Sequence, residues 1–208
     1  RSGQIQLQRC PRNRGRYSYG IRWGCVTEFS ETVSLLTPAA TSNQFEESMR
    51  RLAKFVGIFG QRPEHDFRIG PDVLWLIEHD YAFIIECKNR KEIKNPLTKE
   101  DHGQVLTAEA WFATEYPERE AKRVIIHPNS YSTEPAAAKL TYALTLVKLN
   151  ELIASIKDLL SELCGSEVGK DELEKRCAGL LVKKQLTYTG IISTFLAPFQ
   201  TLKPSKSK

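Results

Sequence analysis

The chain has 208 residues, 41% of them hydrophobic and 26% charged, which is the composition of a folded domain with one sizeable core rather than of a disordered tail. Thirty Lys and Arg against 25 Asp and Glu give a formal net charge of +5, which permits a polyanionic partner without requiring one. No apolar run approaches the roughly 20 residues of a membrane helix, no signal-peptide pattern opens the chain, and five cysteines without a Cys-x-x-Cys form neither a disulfide framework nor a zinc site.

The expectation is a cytoplasmic protein with reduced thiols and no membrane contact. The chain opens on Arg rather than Met, which reads as a piece of something longer, a processed form or an engineered one. Residues 1–40 are the most basic part: Arg1, Arg9, Arg12, Arg14, Arg16 and Arg22 fall in a stretch without acidic residues, interleaved with Tyr17, Tyr19 and Trp23. The alternating runs "QIQLQ" and "YSYGIRWGCVTEF" predict a β-hairpin or meander over 4–29. Arg12, Arg14 and Arg16 suit phosphate contacts, and equally suit an arm or an interface to another part of the protein.

Residues 43–60 place Phe45, Met49, Leu52, Val56 and Phe59 at helical spacing, with Gly60 as the stop, and predict an amphipathic helix. At about 100° per residue, Glu46 lies on the flank of the buried face. Glu46 also stands three residues after Asn43, the spacing of a capping box, so an inward acid and a helix cap are both open. Glu47 reads as a surface partner of Arg51 at i,i+4.

Two strands follow at about 72–77 and 81–88. Along the second, Glu86 and Lys88 share a face with Ala82 and Ile84, while Phe83, Ile85 and Cys87 take the other. Both faces are apolar before the charges arrive, which predicts a central strand with its charged end at the rim. A hairpin centred on His79 pairs Ile77 with Tyr81 and brings Asp72 opposite Glu86, with Cβ atoms about 5 Å apart. Unscreened opposed carboxylates repel, so a divalent cation between them with Lys88 alongside makes physical sense. The plain alternative is a Glu-x-Lys ion pair at a solvated sheet end and a Pro-Asp turn.

"LTKEDHGQVLTAEAWFATEYP" reads as a helix ending before Pro117, and "KRVIIHP" as another strand. Residues 131–200 read as mainly helical, broken near Gly165 and Gly169. Their Leu140, Leu144, Val147, Ile156, Leu159 and Leu163 are expected to pack on the sheet, with a homo-oligomer seam as the alternative. Residues 201–208 read as a disordered basic tail.

Helix with "FE", strand with "PD", strand with "ECK" and a helix carrying Gln104 together resemble the PD-(D/E)xK, or restriction-endonuclease-like, nuclease superfamily, over about residues 43–128. The resemblance implies an α/β fold, with a mixed β-sheet core flanked by helices over 41–130. It also implies an Mg²⁺ ion, replaceable by Mn²⁺, held by Asp72, Glu86 and the backbone carbonyl of Cys87, with Glu46 assisting from the helix. Lys88 then orients or activates the attacking water, and Gln104 sits near the scissile phosphate. Ala108 stands where the RecB-like branch has a tyrosine, so the resemblance does not extend to that branch.

The residue chemistry agrees with that implication. Oxygen ligands without His or Cys favour Mg²⁺ or Mn²⁺ over Zn²⁺, and a carboxylate-bound Mg²⁺ suits phosphodiester hydrolysis. Arg90, Lys91 and Lys94 follow directly as candidates for phosphate contacts, the plain alternative being a solvated basic loop. The four histidines lack paired metal-ligand spacing, and no Gly-x-Ser-x-Gly elbow is present. No P-loop occurs either, so any helicase or ATPase activity belongs to another domain or partner protein. The expected function is a metal-dependent nuclease acting on DNA, alone or as one domain of a defence or repair protein. The alternative is the same fold as a catalytically inactive binding or assembly module.

Overall fold

The computed structural model describes residues 20–135, 140–164 and 169–202. The first element is a helix, α1 (Gly20–Ser34), where the second half of a β-hairpin was expected. Tertiary contact overrides local alternation here: Phe29 and Leu36 are buried, and Phe29 packs edge-on against Phe55 at 5.1 Å between ring centroids. The first half of that expectation, with Arg12, Arg14 and Arg16, lies outside the described residues.

Helix α2 (Ser42–Lys54) buries Phe45, Met49 and Leu52 as its periodicity predicts. Its capping box uses Thr41 and Gln44, with the Gln44 N–H donating to Thr41 Oγ1 at 3.3 Å, so the Asn43–Glu46 alternative is set aside. The helix ends before Val56 and Phe59. Phe59 instead opens strand β1 (Phe59–Gln61) with its side chain exposed. The chain continues through the short helix α3 (Pro63–Phe67), β2 (Val73–Ile77), β3 (Tyr81–Cys87), α4 (Lys99–Glu115), β4 (Glu120–His127) and β5 (Tyr131–Ser132). It ends with β6 (Thr141–Thr145), α5 (Leu146–Cys164), α6 (Lys170–Lys183), α7 (Tyr188–Phe195), β7 (Ala197–Pro198) and β8 (Gln200–Thr201).

Six strands make one mixed sheet in the order β1-β2-β3-β4-β6-β7. β1, β2 and β3 are antiparallel neighbours, β3, β4 and β6 run parallel, and β7 returns antiparallel to β6. β6 lies within residues expected to be helical, so the sheet continues past residue 130. A short apolar run such as "TYALT" carries no periodicity that separates buried strand from helix, and pairing with β4 decides it.

The two faces of β3 separate as alternation predicts. Phe83, Ile85 and Cys87, with Val73, Trp75 and Ile77, join the larger core beneath α1, α2, α5 and α7. Ala82 and Ile84, with Leu74 and Ile125, pack beneath α4 against Val105, Ala108 and Phe112. The Trp75 indole donates to the Met49 carbonyl at 3.0 Å, tying α2 across the sheet. In the C-terminal part Leu144, Ile156 and Leu159 are buried in the larger core, whereas Leu140 and Val147 are exposed. Among the described residues no helix is long and apolar enough to cross a membrane.

Candidate active site

The β2–β3 hairpin pairs Ile77 with Tyr81 and Val73 with Ile85. The same register, extended one step past β2, sets Asp72 across from Glu86. Both carboxylates are buried, Asp72 to 9% and Glu86 to 4% exposure. The Cys87 N–H donates to Asp72 Oδ2 at 2.7 Å and fixes that carboxylate against the strand. Lys88 Nζ lies 3.5 Å from Glu86 Oε2 and donates to Gln104 Oε1 at 2.5 Å. Gln104 is exposed on α4, and its amide meets the lysine across the sheet end.

Glu46 enters from α2. It is ion-paired with Arg62, which also donates to Asn43 Oδ1 at 2.9 Å. Glu46, Asp72, Glu86, Cys87, Lys88 and Gln104 all line one open cleft of about 640 Å³. The sequence-derived acids, lysine and glutamine therefore converge. Glu47, by contrast, stays with Arg51 at 2.9 Å and Arg50 at 2.6 Å on the surface of α2.

Three charged cleft residues escaped sequence reading: Arg62, Glu64 and Arg68. All come from "RPEHDFR", a segment too short and polar to show a periodicity, so only its closeness to "GPD" could have marked it. Gly70 holds this segment against the site. Its φ is +96°, and a Cβ there would meet the Trp111 ring at 2.8 Å and Pro63 at 2.9 Å. Gly70→Ala is expected to destabilise the fold by about 1–3 kcal/mol, through left-handed backbone strain plus steric overlap, and a denaturant melt measures it.

The electrostatics are those of crowded acids. Burial foremost, then the charge of Asp72, pushes the Glu86 carboxyl up to about 8, with Lys88 opposing. A hydrogen bond with Asp72, then burial and the Asp72 charge, pushes Glu64 up to about 7. Glu46 is raised chiefly by burial and then by Asp72, with Arg62 pulling the other way. The carboxylates Glu46, Glu64, Asp72 and Glu86, against the cations Arg62, Arg68 and Lys88, leave the cleft net negative when all are ionised. That surplus favours a bound cation, and the all-oxygen donors suit Mg²⁺ or Mn²⁺. Among the described residues, no group of three or more His, Cys, Asp or Glu is arranged to hold a metal ion by itself. Glu46, Asp72 and Glu86 therefore do not form such a group, which leaves Asp72, Glu86 and the Cys87 main-chain carbonyl as the smaller candidate donor set.

The basic loop after Lys88 is held from behind. Asn129 Nδ2 donates to the carbonyls of Ile93 at 2.6 Å and Asn95 at 2.9 Å. Arg90 is exposed, Lys91 is ion-paired with Asp101, and Lys94 reaches Glu92 at 2.9 Å. The Lys94 pair is solvated and weak, so Arg90 and Lys94 remain accessible, while Lys91 is drawn toward α4. No protein-family model matches this sequence, and no curated protein matches it.

Proposed function

We propose that this chain is a metal-dependent nuclease with a restriction-endonuclease-like fold, hydrolysing phosphodiester bonds, with DNA as the expected substrate. The observation that carries this reading is the convergence of Asp72, Glu86, Lys88 and Glu46 in one cleft at the end of a central strand. The expected holders of the ion are Asp72, Glu86 and the Cys87 carbonyl, with Glu46 beside them. A divalent cation bound there would supply positive charge to the phosphoryl oxygens and lower the pKa of a nearby water.

The chain's own residues do the rest. The hydrogen bond from Cys87 N–H fixes Asp72, and Arg62 fixes Glu46, so both acids are positioned before substrate arrives. Lys88, steadied by Gln104, holds the water in line with the scissile bond and offers a proton donor near the developing charge. Glu64 lines the same cleft beside them.

The test is cleavage of linear, circular and single-stranded DNA with Mg²⁺, Mn²⁺ or EDTA, comparing the chain with Glu86→Ala. Cutting that needs metal and disappears in the variant is expected. Nucleic-acid binding undiminished by EDTA, with no cutting under any metal, would replace the nuclease with an inactive binding module.

A further inference from the structure

Among the described residues, Arg62, Arg68 and Lys88 line the cleft, and all but one of them are already engaged. Arg62 is paired with Glu46 and Asn43, Lys88 with Gln104 and Glu86, and the His65 ring lies against Asp66. Among the described residues, the Arg68 guanidinium has neither an ion-pair nor a hydrogen-bond partner, although Arg68 lines the acidic cleft. Its backbone is left-handed, φ 62°, at the end of α3. Helices usually place Gly or Asn at that position, and a larger residue there is strained.

The flanking side chains are also unusual. Phe67 is 71% exposed and Ile69 53%. Phe67 lines a second cleft of about 480 Å³, which shares Arg62 and His65 with the first and so continues it. Exposed Phe59 stands on the same second cleft. An unpaired guanidinium between two exposed apolar side chains, beside the proposed chemistry, matches a strand with alternating phosphates and flat bases. A duplex hides its base faces and offers no surface to stack on, whereas an unpaired strand exposes them.

We propose that the segment Phe67–Arg68–Ile69 is a binding subsite for an unpaired nucleic-acid strand, with Arg68 gripping the phosphate next to the cut and Phe67 stacking on the adjoining base. This rests on the nuclease reading above and names the substrate class of that site. The strained Arg68 backbone is then the stability cost of presenting the guanidinium.

The experiment measures fluorescence anisotropy of labelled single-stranded DNA, single-stranded RNA and duplex DNA of one sequence, with Ca²⁺ in place of Mg²⁺ so that binding is read apart from cutting. Single strands are expected to bind more tightly than duplex, and the DNA and RNA arms decide which sugar is preferred. Phe67→Ala is expected to weaken single-strand binding roughly tenfold to a hundredfold, the range of one lost stacking contact. Phe67→Trp should retain it and show tryptophan quenching on binding. Arg68→Gly should weaken binding and reduce the salt slope by about one phosphate contact, while its melting temperature stays level or rises.

Wild-type affinities in Phe67→Ala and Arg68→Gly, in a protein that still cuts, would overturn the subsite and leave the nuclease standing. Variants that change only self-association in light scattering would assign the aromatic face to a protein contact, also against the subsite. A wild-type chain that cuts duplex but binds no single strand would overturn it as well.

Discussion

Lys88→Ala is expected to slow metal-dependent cleavage by about 100- to 10,000-fold, the range typical of removing one positioned proton-transfer group. The fold should survive, because Lys88 lies at the strand's rim and its ammonium meets Gln104 and Glu86 rather than the apolar core. Metal binding should survive too, and should tighten slightly as a nearby positive charge is lost. Mg²⁺-induced stabilisation, read as a shift in melting temperature, separates these effects. Retained stabilisation with lost cleavage places Lys88 in the chemistry, and normal cleavage by the variant would remove it from the mechanism. Gln104→Ala is expected to have a milder effect in the same direction, since it only steadies the lysine.

Without metal, the protein should become less stable as pH rises from about 5 to 8.5, and Mg²⁺ should reverse the loss. The sign follows from Glu86. Its pKa rises from 4.5 to about 8 on folding, so between those values the folded state holds a proton that the unfolded state has released, and stability falls as pH rises. The penalty is absent below 4.5 and complete above about 8. Glu64, raised to about 7, acts in the same direction over a narrower window and, being exposed, contributes less.

A divalent cation binds the ionised carboxylates, so Mg²⁺ should raise the melting temperature far more at pH 8 than at pH 5.5. Glu86→Gln removes the ionising group, which should flatten the pH dependence and make the metal-free variant more stable than wild type at pH 8. Its response to Mg²⁺ should nearly vanish. A melting temperature unaffected by pH and Mg²⁺ together would exclude the proposed ion site, whatever the protein does to DNA.

Local periodicity carried much of this molecule. Strand alternation is a property of consecutive residues, so it correctly divided Glu86 and Lys88 from Phe83, Ile85 and Cys87. A tight turn at 78–80 makes register a matter of counting, so Asp72 met Glu86 as expected. Helical spacing did the same for the buried face of α2 and for α4 ending ahead of Pro117.

What failed locally failed for lack of distant partners. Residues 20–34 alternate like a strand, yet Phe29 finds its place on Phe55 only as part of a helix. "TYALT" became a strand because β4 offered a parallel edge. Glu46 had two sequence readings, and Arg62, sixteen residues later, selects the inward one.

By itself, then, the sequence determined the hairpin, its register and the acids and lysine it brings together, because these depend on neighbours a few residues apart. Only the tertiary structure decided that Arg62, Glu64 and Arg68 share that cleft, that Gln104 meets Lys88, and that Arg68 alone among the described cleft cations is left unpaired. Those placements depend on how α2, α3 and α4 settle on the sheet, and no local pattern encodes the distance between side chains on separate elements.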